Sequence, residues 1–253
     1  MDFEDFNITE DSLFDGDLIL FQNKSGYRFS IDSVLLAHFA IPDNGDKILD
    51  MGTGCGVIAL ILLYRWASIV EEVSGIELQA SLAKLARANY HSNNFSEHGK
   101  IIETDIKNIL DAVAPESYDK VICNPPFYSC SSGRMSTNKE ANLARHHVLA
   151  SLVDFFKASA SVVKNRGDVF FIYPAESIAE CITFAQQVRL ELKRIRFIYS
   201  YPHKKNVSRL VLLQFKKNGA SGAEIMPPLY IYHEKNGLFS KEIQRFYQPQ
   251  TGN

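Results

Sequence analysis

The strongest constraint on the fold is an alternation of short apolar runs with helix-forming segments between residues 47 and 215. Helical patterns at 57–67, 79–93, 149–164 and 175–190 separate runs that have the length of buried strands. We predict seven strands, at Lys47–Asp50, Val73–Glu77, Lys100–Thr104, Lys120–Cys123, Val169–Tyr173, Lys193–Ser200 and Ser208–Phe215. This alternation indicates an α/β fold with a doubly wound sheet and right-handed crossovers. Because the loop before the last strand is too short for a helix, that strand is expected to pair antiparallel.

Shorter segments precede the alternation. The strand-like runs 18–22 and 27–29 surround Asn23-Lys24-Ser25-Gly26, which favours a turn, so they predict a small hairpin. Ser30 or Asp32 can cap a helix that follows this hairpin.

The chain is expected to form one domain with appendages. We predict an N-terminal extension at 1–45, a central unit at 46–217 and a C-terminal part at 218–253. The last part is expected to form a strand and a helix that pack on the same domain and cover the sheet edge.

Composition restricts the class of protein. With 253 residues, 46% of them apolar, the chain can bury a complete core. The aliphatic run Val57–Leu63 is far shorter than the roughly 18 residues of a membrane span, and the chain begins with acidic residues instead of a signal peptide. We therefore expect a cytoplasmic protein without a membrane partner. Its four cysteines form no C-x-x-C pair, so neither a metal site nor a disulfide framework is expected.

Charge is distributed unevenly, although the net charge is only −2. Residues 1–17 hold seven acidic side chains and no basic one, whereas residues 189–217 hold nine basic side chains against Glu191 alone. Such a concentration of Lys and Arg is typical of a surface that contacts a polyanion. The alternative is a solvated pair of strands that happens to be basic.

A glycine-rich turn follows the first strand of the central unit, in Asp50-Met51-Gly52-Thr53-Gly54-Cys55-Gly56. Glycine lets the backbone pass close to a ligand and reach positive φ angles. In doubly wound sheets ligands bind beyond the carboxyl ends of the strands, where Glu77 and Asp105 are also expected. Glu77 follows Gly56 by 21 residues, and an acid there can accept both ribose hydroxyls. A simple helix cap is the alternative role for such an acid.

The position of Asp50 distinguishes two cofactors. Dinucleotide enzymes favour G-x-G-x-x-G, in which the start of a helix receives a pyrophosphate. Here an acid precedes G-x-G-x-G, and its carboxylate would repel a phosphate but attract the ammonium and sulfonium groups of S-adenosylmethionine. The pattern therefore favours S-adenosylmethionine over NAD. The predicted cofactor contacts from these strand ends are Asp50, Gly52, Thr53, Gly54, Cys55, Gly56, Glu77, Leu78, Asp105, Ile106 and Asn124.

The turn Asn124-Pro125-Pro126-Phe127 follows the fourth predicted strand. The lone pair of an exocyclic amine is delocalised, so methyl transfer to such an amine needs acceptors for both of its hydrogens. Asn124 Oδ1 and the Pro125 carbonyl can accept them, with proline stiffening the turn. Phe127 can stack on the planar group that bears the amine. We therefore predict Asn124, Pro125 and Phe127 as catalytic residues, the alternative being an ordinary Pro-Pro turn.

Four segments resemble a known family, namely Gly26–Ala37, Asp50–Gly56, Asn124–Phe127 and Tyr201–Phe215. On these segments the chain resembles the class I S-adenosylmethionine-dependent methyltransferases, and more narrowly the bacterial tRNA1(Val) (adenine(37)-N6)-methyltransferase family. The resemblance implies a Rossmann-like fold and methyl transfer to N6 of adenine 37, beside the anticodon. It also implies that the first segment closes over the methionine end of the cofactor, with Phe29 and Asp32 in contact.

The substrate stays open at this point. The second and third segments are shared with rRNA guanine-N2 and protein glutamine-N5 methyltransferases, and a non-catalytic RNA-binding domain is a further alternative. The partner implied by the resemblance is the anticodon arm of a tRNA. The residues predicted to bind it are Arg134 and Arg145 near the catalytic turn, and Arg194, Arg196, Lys204, Lys205 and Arg209 in the basic segment.

Overall fold

The computed structural model describes residues 8–24, 29–127 and 150–250. The strands are β1 (Ile8–Leu13), β2 (Leu18–Asn23), β3 (Lys47–Met51), β4 (Glu72–Glu77), β5 (Ile101–Glu103), β6 (Tyr118–Cys123), β7 (Val163–Pro174), β8 (Leu190–Tyr199), β9 (Leu210–Lys217), β10 (Glu224–Ile225) and β11 (Leu229–Tyr230). The α-helices are α1 (Ile31–Phe39), α2 (Val57–Trp66), α3 (Ala80–Ser92), α4 (Leu152–Val162), α5 (Ile178–Gln187) and α6 (Lys241–Tyr247).

The central sheet has the order β5-β4-β3-β6-β7-β9-β8, and the short strands β10 and β11 pair with β8. Strands β3 to β7 are parallel, whereas β9 runs antiparallel to both β7 and β8. The predicted α/β sheet with an antiparallel last strand is confirmed. Strand β8 runs in the same direction as β7. The loop that follows β8 therefore lies at the end of the sheet where β3 to β7 have their carboxyl ends.

Apolar residues alternate between the two faces of the sheet. Ile48 packs in the cluster formed with α1, α2 and α3, while its neighbour Leu49 packs in the cluster formed with α4 and α5. Successive strand residues point to opposite faces, so a parallel strand covered on both sides must be apolar throughout. This explains why the strands could be recognised as nearly continuous apolar runs.

The N-terminal hairpin differs from the prediction. Strand β2 pairs antiparallel with β1, and Phe29 lies outside any strand, while residues 25–28, which hold most of the predicted turn and partner strand, lie outside the described ranges. The turn uses left-handed conformations at Phe14, Asp15 and Gly16, with φ of 56°, 55° and 101°. Strand β1 contains two acids and two hydroxyl residues, a composition with little preference for strands, so its pairing with β2 determines its structure.

Two asparagines of α3 fasten this hairpin to the rest of the domain. Asn89 Oδ1 accepts from Phe21 N at 2.7 Å, and Asn89 Nδ2 donates to Phe21 O at 3.0 Å and to Cys55 O at 2.8 Å. One helical turn later, Asn93 accepts from Ile19 N and donates to Ile19 O. The side-chain amides thus imitate a neighbouring strand and link β2 to the glycine-rich turn.

The C-terminal segment covers the edge strand β8. Strands β10 and β11 pair with it in parallel, and α6 is held by a bidentate ion pair from Arg196 to Glu242. Within the described ranges, none of the helices has the length and apolarity that crossing a bilayer requires.

Candidate cofactor and active site

A cavity of about 440 Å³ opens at the carboxyl ends of the parallel strands, within the usual size range of small-molecule sites. It extends from the glycine-rich turn after β3 to the Asn-Pro-Pro-Phe turn after β6. The predicted residues that line it are Phe29, Asp32, Gly52, Thr53, Gly54, Cys55, Glu77, Leu78, Asp105, Ile106, Asn124, Pro125 and Phe127. The two predicted sites therefore form one continuous cavity.

The glycine-rich turn is packed tightly on both sides. Gly52, Gly54 and Gly56 have φ angles of +79°, +61° and +90°, which residues with a side chain rarely adopt. A Cβ added at Gly52 would lie 3.4 Å from the Phe155 ring, and one at Gly56 would lie 3.4 Å from Ala86 Cβ. Gly56 caps α2 and does not line the cavity, so its predicted contact with the cofactor is replaced by packing against α3.

Asp50 lies behind the glycine-rich turn and does not line the cavity, which corrects the predicted position. Its side chain is buried, Oδ2 accepts from Thr53 Oγ1 at 2.6 Å, and Oδ1 has no hydrogen-bond partner within the described part of the chain. Burial raises the pKa of the Asp50 carboxyl to about 7, against the opposing hydrogen bond from Thr53. Any effect of Asp50 on a ligand would therefore pass through Thr53, which does line the cavity.

Glu77 ends β4 with both carboxylate oxygens fixed. Oε2 accepts from Gly54 N at 3.0 Å, and Oε1 accepts from Gln79 N at 2.8 Å. Each carboxylate oxygen has a second lone pair, so both can also accept a hydroxyl from a ligand. Glu77 is buried but lines the cavity, and this geometry suits a vicinal diol.

The next strand contributes Asp105 and Ile106. Asp105 caps a short 3₁₀ helix by accepting from Lys107 N at 2.9 Å, and Ile106 is buried beside it. Across the cavity mouth, Leu78 is 40% exposed. Leu78 and Ile106 provide apolar surface for a flat ring, while the Asp105 carboxylate can accept a hydrogen bond from an amine on that ring.

The cavity is acidic. Asp32, Glu77 and Asp105 line it, and among the lining residues that the structure describes there is no Lys or Arg. Burial raises the pKa of the Asp32 carboxyl, which a nearby cation would counteract. Such a lining suits a positively charged ligand and disfavours a pyrophosphate. Within the described residues, no cluster of three or more His, Cys, Asp or Glu side chains is placed to hold a metal ion.

Asn124 is held by a residue that the sequence analysis did not identify. Its Nδ2 donates to Ser33 Oγ on α1 at 3.3 Å, and the Ser33 side chain is buried. With its nitrogen donating to Ser33, Asn124 presents its carbonyl oxygen as the acceptor for a substrate amine. The only sequence clue was the position of Ser33 next to Asp32 in a segment already assigned to the cofactor site.

Phe127 presents an aromatic surface beside Asn124. Its side chain is 41% exposed, and its ring meets that of Tyr173 edge to face, with centroids 5.4 Å apart and planes at 86°. Tyr173 is buried near the carboxyl end of β7 and fixes the orientation of Phe127. The exposed part of the Phe127 ring is therefore available for stacking.

Two other residues that shape the cavity were missed in the sequence. Phe155 on α4 lines the cavity opposite Gly52, and Gln22 on β2 accepts from Phe29 N at 2.9 Å through Oε1. Phe155 belongs to an amphipathic helix, where an aromatic residue usually indicates core packing. Nothing in the sequence around Gln22 indicates its hydrogen bond to the cavity wall.

The residues predicted to bind RNA divide into three groups. Arg134 and Arg145 lie outside the described residues. Arg196 pairs with Glu242 and donates to Pro227 O, and Arg194 donates to Gln214 and covers the ring of Phe39. These two arginines fasten the C-terminal segment and α1 to β8, a packing role that the sequence analysis did not predict.

The third group is Lys204, Lys205 and Arg209, in the loop between β8 and β9. All three are exposed, and no ion pair involving them is found among the described residues. The loop itself is ordered by Asn206 Nδ2, which donates to Tyr201 O at 2.6 Å. These cations lie at the same end of the sheet as Asn124. Strands β7 and β9 separate β6, which precedes Asn124, from β8, which precedes the cations.

Comparison with known proteins identifies the family. The family model described as "Methyltransferase small domain" matches residues 29–172, more than half of the chain and nearly all of the cavity. The chain belongs to this methyltransferase family. The matched region begins at Phe29, on the cavity wall, and ends in β7, which supports Phe127 through Tyr173.

The methyltransferase is also similar to individual proteins. It is 28% identical over 155 residues to a tRNA1(Val) (adenine(37)-N6)-methyltransferase of Trichodesmium erythraeum, covering 61% of this chain and 64% of that relative. It is 27% identical over 234 residues to a protein of the same name from Porphyromonas gingivalis, covering 90% of each. The crystal structure of a predicted O-methyltransferase from Agrobacterium tumefaciens has a TM-score of 0.69 at 20% identity, covers 85% of this chain and 95% of that one, and shares its fold.

Proposed function

We propose that this methyltransferase transfers a methyl group from S-adenosylmethionine to N6 of an adenine in tRNA, namely adenine 37 beside the anticodon of tRNA1(Val). The observation that carries the proposal is the Asn124 amide, which is held by Ser33 and lies between an acidic cavity and an exposed aromatic ring. The two relatives named for this reaction support the choice of substrate. The proposal includes a cytoplasmic location and the anticodon arm as the partner.

The cavity fits S-adenosylmethionine on three counts. Glu77 offers two oxygens to a ribose diol, Leu78 and Ile106 offer apolar surface to an adenine ring, and the acidic lining matches the charge of the ammonium and sulfonium groups. Bound there, S-adenosylmethionine supplies an electrophilic methyl group. Thr53, with Asp50 behind it, and Asp32 are the residues we assign to its charged end.

The residues of the catalytic turn prepare the accepting amine. Asn124 Oδ1 and the Pro125 carbonyl accept its two hydrogens, which draws the nitrogen lone pair out of conjugation with the ring. Phe127 stacks on the base and fixes its plane. The nitrogen becomes acidic only when it is alkylated, so no general base has to act before transfer. A loop adenine is already accessible and costs less to extrude than a paired one.

A labelling experiment tests the function directly. The protein is incubated with S-adenosylmethionine labelled in the methyl group and with total RNA, which is then digested to nucleosides. We expect the label in N6-methyladenosine, and its loss when adenine 37 of a tRNA1(Val) transcript is replaced by guanine. Label in N2-methylguanosine or in protein glutamine would assign the enzyme to the alternative substrates, and no transfer at all would favour a binding domain.

Phe127 should act on the substrate and not on the cofactor. Phe127→Ala removes base stacking, worth about 1–3 kcal/mol per base, so kcat/KM for tRNA should fall by roughly 5- to 150-fold. Affinity for S-adenosylmethionine should stay the same. Phe127→Tyr should be tolerated, because the exposed part of the ring leaves room for a hydroxyl. Steady-state kinetics on tRNA check both variants, and equal damage from Ala and Tyr would instead indicate a packing role against Tyr173.

The loop between β8 and β9 should contribute phosphate contacts. Exchanging Lys204 and Lys205 for Gln should weaken binding to every tRNA, and each lost contact should flatten the slope of log K against log salt by about 0.7–0.9. Affinity for S-adenosylmethionine should not change, because four strand spacings, about 19 Å, separate β8 from β3. Binding titrations at several salt concentrations measure the slope.

The matched control is Lys100→Gln. Lys100 is exposed and precedes β5, so it lies at the opposite edge of the sheet, and its replacement should leave the slope unaltered. If the Lys204 and Lys205 double variant keeps the wild-type slope, this loop is only a solvated edge. Arg134 and Arg145 would then be the remaining candidates for holding the RNA.

A further inference from the structure

We propose that Ser33 is a positioning residue that holds the Asn124 amide in the substrate-facing part of the cavity, an inference that rests on the proposed role of Asn124 in methyl transfer. The Asn124 side chain has two donors on one end and an acceptor on the other, and both ends have nearly the same size. Only the orientation that offers Oδ1 to the substrate can accept an amine hydrogen. The reverse orientation would set the amide NH₂ group against the substrate amine, two donors facing each other.

The geometry shows which contact holds the amide with its oxygen available to the substrate. Ser33 Oγ receives Asn124 Nδ2 at 3.3 Å, and the Ser33 side chain is only 4% exposed, so little water can compete for this hydrogen bond. The backbone that carries the hydroxyl is fixed, because Ser33 is in the first turn of α1. Ser30 caps this turn by accepting from Asp32 N through its side chain and from Ser33 N through its backbone oxygen.

The contact also connects two parts of the site that are 91 residues apart in sequence. Phe29 and Asp32 line the cavity on one side of Ser33, while Asn124 and Pro125 belong to the catalytic turn on the other. Ser33 thus belongs to the wall of the cofactor cavity but acts on the residue that receives the substrate. A substitution there should affect turnover much more than cofactor affinity.

A double-mutant cycle with Asn124 tests this inference. Ser33→Ala removes a neutral hydrogen bond, so we expect kcat to fall about 3- to 13-fold, while KM for tRNA and Kd for S-adenosylmethionine stay within about twofold. In the Asn124→Ala background the same substitution should change kcat by less than about twofold, because its partner is already absent. An equal loss in both backgrounds, or no loss in the wild-type background, would overturn the assignment.

A spectroscopic measurement gives a readout that does not depend on turnover. The side-chain amide resonances of Asn124, identified by their disappearance in Asn124→Ala, should shift in Ser33→Ala. The matched control is Val34→Ala in the same helix turn, where a buried side chain of the cluster formed with α2 and α3 is shortened. This control should lower Tm, leave kcat unchanged and shift the Asn124 resonances much less than Ser33→Ala does. A shift of the resonances in Val34→Ala as large as in Ser33→Ala would mean that α1 affects the turn only through its stability.

The cycle can be run on whichever amine the wild-type enzyme methylates. If total RNA receives its label on guanine, or if protein glutamine is labelled, the proposed adenine substrate fails, yet the coupling between Ser33 and Asn124 can still be measured on that acceptor. If adenine is methylated and the cycle shows no coupling, the positioning role fails alone.

Discussion

Replacing Asn124 by Ala should lower kcat for tRNA methylation by about 100- to 1000-fold, the range found when one preorganised partner of a developing charge is removed. Asn124 accepts from the amine most strongly in the transition state, so KM for tRNA should change little. S-adenosylmethionine should bind as before, because the groups that meet its ribose are on Glu77, two strands away from β6. Single-turnover kinetics and calorimetry measure the two effects separately.

A matched Asn variant is available at the opposite end of the strands, where their amino ends lie. Asn44 is exposed in the turn before β3, and Asn44→Ala should leave kcat unchanged. An Asn124→Ala enzyme that kept more than a tenth of wild-type turnover would show that the amine hydrogens are accepted by another group. The role would then pass to backbone carbonyls of the turn, which substitution cannot remove.

Replacing Glu77 by Ala should weaken S-adenosylmethionine and S-adenosylhomocysteine together, by about 100-fold or more. Both ligands contain the same ribose diol, and each hydrogen bond to a carboxylate is worth about 1.5–3 kcal/mol. Glu77 also accepts from Gly54 N, so its loss releases the glycine-rich turn as well. Calorimetry with each ligand gives the two affinities.

Glu103 provides the control for this measurement. It lies opposite Glu77 in the β4–β5 register, but its side chain is 45% exposed and forms an ion pair with Arg87. Glu103→Ala should leave both affinities unchanged. Equal affinity of wild type and Glu77→Ala for both ligands, or preferential binding of NAD by the wild type, would contradict the assignment of the cofactor.

Most of the sheet could be predicted from the sequence, because a parallel strand that is buried on both faces consists almost entirely of apolar residues. The glycine-rich turn and the Asn-Pro-Pro-Phe turn were also predictable, since each follows such a run directly and the carboxyl ends of parallel strands meet at one edge. Helix α4 ends at Val162 and β7 begins at Val163, six residues before the predicted start. The polar residues Lys164, Asn165 and Arg166 concealed this first part of the strand.

Depth within the site was harder to predict than position along the chain. Asp50 shares strand parity with Ile48, whose side chain enters the cluster of α1, α2 and α3, so it turns beneath the following loop. The sequence placed it correctly at a strand end but did not show that Thr53 would separate it from the cavity. The burial of Asp50 depends on the path of the following loop in three dimensions, which the sequence pattern does not specify.

The partners of the basic segment were not predictable for a different reason. Arg196 is neutralised by Glu242, 46 residues further along, and Arg194 lies near Glu224 and Phe39. These partners belong to the C-terminal segment and to α1, whose positions against β8 no local pattern specifies. Among the described residues predicted to contact RNA, Lys204, Lys205 and Arg209 are the exposed ones.

The insertion of β9 between β7 and β8 has a consequence for the order of events at the ribosome. Strand β8 leaves the ribosome before β9, yet in the described residues it joins the sheet only through β9, β10 and β11. The free edge of β7 therefore has no partner strand between the emergence of Pro174 and that of Leu210. Synthesis of the residues between them takes about 2–7 s at ordinary translation speeds. During this interval an apolar strand edge is open to other chains, so slow synthesis or a pause between these residues favours aggregation over folding.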